Sequence, residues 1–140
     1  MKWHAYTTWM AVLGAAVLLS GCPCGPEEQG ELTPLSGPFG YLVTGPWNFE
    51  GTLTKESPGD SEWVLEGRFL FPNPGYFLLA THVLVAESYP EQVLIRFNVL
   101  LPVQEITLPV IQEEPVRVTV AADDRASFDI RFQPRCLRMP

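Results

Sequence analysis

Basic residues are scarce in this sequence. It has 140 residues, of which 9 are Lys or Arg and 16 are Asp or Glu, so that its formal net charge at pH 7 is −7. Binding to nucleic acid and electrostatic attachment to anionic lipid both require basic patches on a protein surface. The composition therefore argues against nucleic acid as a partner and against a membrane attachment made by the protein surface alone.

Histidine is rare as well, and the motifs of catalysis are missing. His82 is the only histidine after the first ten residues, and no second His stands at metal-ligand spacing from it. There is no Gly-x-Ser-x-Gly nucleophile motif and no Gly-rich phosphate loop. The neighbouring carboxylates Glu113-Glu114 and Asp123-Asp124 would point to opposite faces of a strand. We therefore predict a protein that is not an enzyme, with no catalytic residue, no metal site and no cofactor.

The one long hydrophobic run stands at the amino terminus. Lys2 is followed by an uninterrupted apolar stretch from Trp9 to Leu19 and then by Ser20 and Gly21, which is the three-part pattern of a secretory signal. The run is shorter than the about 20 residues that span a bilayer as a helix. We expect residues 1–21 to be a cleaved export signal and not a retained transmembrane anchor.

The residues at the end of this segment are Leu19-Ser20-Gly21-Cys22. They resemble the lipobox of bacterial lipoproteins, in which the cysteine thiol receives a diacylglycerol and the signal is cut just before that residue. The new amino terminus is usually acylated too in that family. The resemblance implies that Cys22 is the lipidation site, with acyl chains of the palmitate kind that contribute roughly 0.8 kcal/mol of membrane affinity per buried methylene. The alternative is a leader that is cleaved with no lipid added.

The same resemblance implies a location in the bacterial cell envelope. In members from organisms with two membranes, an Asp after the lipid-bearing cysteine retains the protein in the inner membrane. This chain has Pro23 there, so we expect the outer membrane, in the periplasmic leaflet or at the surface. In an organism with one membrane, we expect the outer face of that membrane.

Two cysteines remain if Cys22 carries a lipid, and they are Cys24 and Cys136. Disulfides persist outside the cytoplasm. A bridge between them would close a loop of about 100 residues, worth up to ~4.7 kcal/mol on the chain-entropy model. We predict this bridge, with two free thiols near the chain ends as the alternative.

Composition divides the rest of the chain. Residues 22–38 hold four Pro, three Gly and three Glu and predict a tether between lipid and domain. Residues 39–135 alternate apolar and polar side chains and predict one β domain, and residues 136–140 form a short tail. Helical periodicity is absent after the signal.

The clearest local pattern is a hairpin. Trp47 to Gly51 recurs sixteen positions later as Trp63 to Gly67, with turn residues between, and a turn centred near Pro58 would place Gly51 opposite Leu65. Glu50 would then face Glu66. The two carboxylates could bind a calcium ion or serve in acid/base chemistry, or they could simply form a solvated acidic face. We favour the solvated face because calcium takes six to eight oxygen ligands.

Further strands are predicted at residues 39–44, 76–87, 92–101, 106–110, 116–120 and 128–132, with 122–126 as a hairpin loop. The sheet edges are expected to be guarded by charges and by Pro109. Seven or eight short alternating strands predict an antiparallel β-sandwich, immunoglobulin-like, with a small β-barrel as the alternative. The predicted core consists of Trp47, Phe49, Trp63, Leu65, Phe69, Val93, Ile95, Phe97, Val99, Val116, Val118, Val120, Phe128, Ile130 and Phe132.

A second resemblance covers residues 75–120. Pro74-Gly75-Tyr76, Ser88-Tyr89-Pro90, Thr107-Leu108-Pro109 and Pro115-Val116-Arg117-Val118 follow one another in an order that is similar to the secreted all-β domains related to the B subunit of the bacterial protease-stability complex. Those domains are small, non-enzymatic envelope proteins thought to stabilise or partner a protease. The glycine-rich connection common in that family is not present around Gln104 and Gln112.

Two functions follow as expectations. The first is a membrane-anchored envelope lipoprotein whose non-catalytic sandwich acts as a structural or protein-interaction module, and a protease is one such partner. The alternative is a module that binds carbohydrate or a small apolar molecule. Exposure of Tyr41, Trp47, Tyr76 and Tyr89 together on one face would favour the second.

Overall fold

The computed structural model describes residues 22–36, 40–55, 61–102 and 110–136. Within these ranges the chain forms ten β-strands, and no helix is long and apolar enough to span a membrane. The strands are β1 (Cys22–Pro23), β2 (Glu28–Gln29), β3 (Glu31–Pro34), β4 (Gly40–Gly45), β5 (Phe49–Thr54), β6 (Glu62–Phe71), β7 (Phe77–Ala86), β8 (Gln92–Leu100), β9 (Gln112–Ala121) and β10 (Ser127–Cys136).

The strands form two open sheets that pack face to face. Sheet A has the order β7-β8-β10, with β1 and β2 both pairing along the other edge of β10. Sheet B has the order β3-β4-β5-β6-β9. The predicted all-β sandwich is therefore confirmed, and the sheets do not close into the alternative barrel.

One strand pair departs from the predicted antiparallel arrangement. β10 runs parallel to β8, with Ile130 opposite Ile95 and Phe132 opposite Phe97. Between these two strands the chain crosses to sheet B to form β9. Two crossings bring the chain back to sheet A in its original direction, which makes the pair parallel. Residues 122–126, predicted as a hairpin loop, therefore connect the two sheets.

The β5–β6 hairpin forms with a register that differs from the prediction. Gly51 lies opposite Gly67, and Glu50 lies opposite Arg68 and not Glu66. Two glycines let the strands approach closely here, since a Cβ on Gly51 would lie 2.7 Å from the carbonyl oxygen of Glu66. A two-position difference keeps each residue on its predicted face, so the buried set is unaffected. The turn at 56–60 lies outside the described residues.

The core agrees with the predicted list at 13 of its 15 positions. Trp47 and Phe128 are partly buried and pack against the core instead of lying within it, while Val43, Leu53 and Phe71 are additional core members. At the centre, Phe49 and Phe69 from sheet B meet Phe97 and Phe132 from sheet A. All six ring pairs have centroids 4.7 to 5.8 Å apart. This four-phenylalanine cluster joins the two sheets.

The segment predicted as a tether is folded over its described part. β1 and β2 pair with β10, and β3 pairs with β4 at the edge of sheet B. The segment was predicted to be a solvated linker from its Pro- and Gly-rich composition. Composition does not reveal that its residues pair with strands far along the chain. The predicted signal (1–21), positions 106–109 of the strand predicted at 106–110 and the tail after Cys136 lie outside the described residues. Val110 is described and belongs to no strand.

Candidate functional site

The residue predicted to carry the lipid begins the first strand. In β1, the backbone of Cys22 lies opposite Cys136, and Pro23 lies opposite Arg135. The chain therefore joins sheet A at Cys22 itself, without an intervening linker. We call residues 22–29, which run along the β10 edge, the amino-terminal clasp.

A disulfide fastens the clasp to the end of β10. Cys24 and Cys136, 112 positions apart in sequence, are joined with an Sγ–Sγ distance of 2.17 Å. The amide of Gln133 donates to the carbonyl oxygen of Gly25 at 3.1 Å. The backbone N–H of Cys24 donates to the carbonyl oxygen of Pro134 at 3.4 Å. The first and last strands of the domain are thus one covalently closed unit.

An acidic residue of the clasp lies between two arginines of sheet A. The parallel β8–β10 pairing places Arg96 and Arg131 side by side. Arg96 Nε donates to one carboxylate oxygen of Glu27 at 2.5 Å, and Arg131 Nη1 donates to the other at 3.3 Å. Arg131 also pairs with Asp129 at 2.9 Å, and this hydrogen bond is the main reason that the pKa of Arg131 is raised. Glu27 offsets the repulsion between the two arginines and holds the clasp across the outer face of sheet A.

His82 lies in β7, in the same row as these charges. It is paired with Arg96 across the β7–β8 ladder. Burial of the ring lowers the pKa of His82 below its ordinary value of 6.5, and the positive charges of Arg96 and Arg135 lower it further. Its imidazole is therefore neutral at neutral pH and forms part of the surface of sheet A.

The lowered pKa of His82 predicts a pH-dependent stability. The folded pKa is below the unfolded one, so protonation favours the unfolded chain. The stabilising contribution is complete above the unfolded value of 6.5 and is lost as the pH falls below it. We expect His82→Gln to lose less stability than the wild type between about pH 8 and about pH 5, measured by urea unfolding. Parallel losses in both proteins would contradict this, since the carboxylates titrate alike in both.

Glu50 and Glu66 do not form a carboxylate pair. On the outer face of sheet B, Glu66 forms an ion pair with Arg117, while Arg68 pairs with Glu113 at 3.3 Å. Glu50, Glu66, Arg68 and Glu113 are exposed and line an open depression of about 430 Å³. Exposed ion pairs are worth about 0–1 kcal/mol. Within the described ranges, no group of three His, Cys, Asp or Glu side chains is placed to hold a metal ion.

The paired aspartates after β9 have structural partners. The side chain of Asp123 accepts a hydrogen bond from the backbone N–H of Arg125 at 2.9 Å, as in an Asx turn. The backbone carbonyl oxygen of Asp123 accepts a hydrogen bond from Trp63 Nε1 at 3.0 Å. Asp124 forms an ion pair with Lys55, whose side chain is fully buried. The sequence predicted the turn but gave no signal for the link to Lys55.

The four aromatic side chains considered for a sugar platform do not share an exposed face. Tyr41, Trp47 and Tyr76 are partly buried and pack against the core. Tyr89 alone among them is strongly exposed, at 80%. A stacking platform made from these four residues is therefore not formed.

The free edge of sheet A has a different character from the edges of sheet B. β7 contains no Asp, Glu, Lys, Arg or Pro, and among the described strands it pairs only with β8. Its apolar side chains Phe77, Leu79, Val83 and Val85 are each more than a third exposed. β9 and β3, the edges of sheet B, carry both charges and proline. The prediction of guarded edges therefore holds for sheet B and not for β7.

An unguarded edge strand is a template for pairing with another chain. The absence of charges in β7 is visible in the sequence. Its position at an edge is set by the topology, which the sequence pattern did not reveal. Pro109, expected to guard an edge, lies outside the described residues.

Comparisons with known proteins give no match: no protein-family model, no curated protein and no solved structure matches this chain. Two features therefore remain as the basis for a function. They are the clasp that begins at Cys22 and the exposed edge of β7.

Proposed function

We propose that this chain is a bacterial envelope lipoprotein, anchored by acyl chains on Cys22, whose non-catalytic sandwich binds another envelope protein along β7. The outer membrane is the proposed location in an organism with two membranes. The single observation that carries the binding role is the ten-residue, uncharged and exposed edge of β7.

Two features support the lipid anchor. Leu19-Ser20-Gly21-Cys22 matches the lipobox pattern at all four positions. Cys22 also begins a strand of sheet A, two residues before a disulfide. A lipid at this position is coupled directly to the folded body, so that the domain stays close to the membrane where an envelope partner is available.

The chemistry of β7 indicates what the partner presents. An extended strand that joins a sheet edge gains main-chain hydrogen bonds along its whole length, and side-chain contacts on both faces give specificity. Leu79, Val83 and Val85 offer apolar contacts and no charge. The fitting partner is therefore a protein with an exposed, apolar, extended segment. A protease is one candidate, because the resemblance over residues 75–120 includes β7 and β8.

A lysine in β7 tests this role. Val85 is 41% exposed, and Val85→Lys places a charge on the free edge in the way that natural edges are guarded. Thr119→Lys is the matched control, since it adds the same charge to an exposed position of β9. We expect crosslinked envelopes to yield one stoichiometric partner with the wild type and with Thr119→Lys, and to lose it with Val85→Lys.

Two outcomes would contradict this role. Equal capture by all three proteins would place the binding surface away from β7. Retention of glycan or a small apolar molecule without any protein would instead support the ligand-binding alternative. Melting temperatures of the two variants, each close to that of the wild type, are required to show that the lost partner does not reflect unfolding.

A further inference from the structure

The strand directions define two ends of the sandwich. The end of β8 and the end of β10 lie together, since Leu100 is opposite Arg135. The start of β7 joins them through Phe77, which pairs with Leu100, and Cys22 joins them through Cys136. The short connection from β6 to β7 brings the matching end of sheet B to the same place. We call this the anchor end; its described loop residues are 46–48, 72–76, 101–102 and 110–111.

The two ends differ sharply in charge. None of the described loop residues at the anchor end is Asp, Glu, Lys or Arg. Residues 103–109, which include Glu105, lie outside the described residues. The loops at the opposite end contain Glu87, Glu91, Asp123 and Asp124 against Lys55 and Arg125. The described loop residues at the anchor end are therefore uncharged, whereas acidic residues outnumber basic ones in the described loops of the opposite end, which we call the acidic end.

Large apolar side chains are exposed at the anchor end. Phe77, at the start of β7, is 55% exposed, and Val110 and Ile111, just before β9, are 58% and 69% exposed. Single exposed apolar residues are common on protein surfaces and need no explanation. Three of them lie at the end whose described loop residues carry no charge and where Cys22 begins β1, and together they match the surface that a bilayer would bury.

We infer that the anchor end lies against the bilayer, with Phe77, Val110 and Ile111 in the interfacial region and the acidic end directed toward water. This inference rests on the proposed acylation of Cys22. Cys22 is already paired in β1. Its lipid therefore holds the anchor end itself at the membrane, without a flexible linker between lipid and domain. β9 has ten residues, so the acidic end would lie about 30 Å away at ~3.3 Å per residue. That distance exceeds the Debye length of about 8 Å at physiological ionic strength, which relieves repulsion from anionic lipid.

A fluorescent label at each end tests the orientation. Ile111→Cys and Tyr89→Cys introduce one thiol at the anchor end or at the acidic end, both at strongly exposed positions. Cys22 would be acylated and Cys24 is bridged to Cys136, so only the new thiol reacts. The acylated mature chain, which begins at Cys22, is placed in vesicles of phosphatidylethanolamine and phosphatidylglycerol that carry a nitroxide quencher on the headgroup. We expect several-fold stronger quenching at position 111 than at position 89.

The outcomes separate the orientation from the anchor. Protein that floats with the vesicles but shows equal quenching of both labels, or stronger quenching at position 89, would overturn the orientation and leave the anchor intact. Protein that does not float would overturn the acyl anchor and the orientation together.

Discussion

Phe132→Ala is expected to lower the free energy of unfolding by about 3–5 kcal/mol, the range for removing a buried phenylalanine ring. Phe132 is fully buried and its ring lies 5.2 to 5.8 Å from those of Phe49, Phe69 and Phe97. The Phe132 ring also packs directly against the backbone of Gly45, since a Cβ at Gly45 would lie 2.5 Å from the ring. The substitution therefore removes one quarter of the cluster that joins the two sheets and leaves a cavity beside a glycine.

Urea unfolding followed by tryptophan fluorescence measures this loss. Phe77→Ala is the matched control, because the same change is made on a side chain that is 55% exposed. A surface substitution of this kind usually changes stability by no more than about 0.5 kcal/mol. Similar losses in the two variants would show that the four-phenylalanine cluster does not carry the sheet-to-sheet packing.

The fold class and most of the core followed from a single physical signal. In β9, the buried residues Val116, Val118 and Val120 alternate with the exposed residues Arg117 and Thr119, and this period of two predicts a strand with one buried face. The same signal identified β6, β8 and β10. It carries no information on which sheet a strand joins, which is why the parallel β8–β10 pair was not predicted.

The hairpin register illustrates a second limit. The period of two places Gly51 and Gly67 on the inner face but does not say which residues lie opposite each other. That choice depends on the turn and on close packing, and the two glycines pair with each other because neither has a Cβ. This shift places Glu50 opposite Arg68, so that Glu50 and Glu66 do not lie directly opposite each other as the predicted register had them.

The clasp could not be predicted for a different reason. Glu27 contacts Arg96 and Arg131, which are 69 and 104 positions away in sequence. A segment rich in Pro, Gly and Glu reads as a solvated linker until such partners are known. The pairing of Cys24 with Cys136 followed from counting cysteines, but the strands on either side of it did not.

Cys22→Ser is expected to move the protein from the membrane fraction to the soluble fraction almost completely. Two or three acyl chains, at roughly 0.8 kcal/mol per buried methylene, hold a protein firmly. The described chain has no helix that could span a membrane, and the sequence as a whole is acidic, with a net charge of −7. The sandwich itself should be unaffected, because Cys22 takes no part in the disulfide between Cys24 and Cys136. Circular dichroism of the variant therefore serves as the control for folding.

The most direct test of the lipid anchor is the intact mass of the protein extracted from membranes, for the wild type and for Cys22→Ser. We expect the wild type to begin at Cys22 and to exceed the mass of the mature polypeptide by a diacylglycerol and, where the amino terminus is acylated, one further acyl chain. We expect Cys22→Ser to lack the added acyl mass. A Cys22→Ser protein that stays in the membrane fraction, with a mass that differs from the wild type only by the substitution, would contradict the lipid anchor.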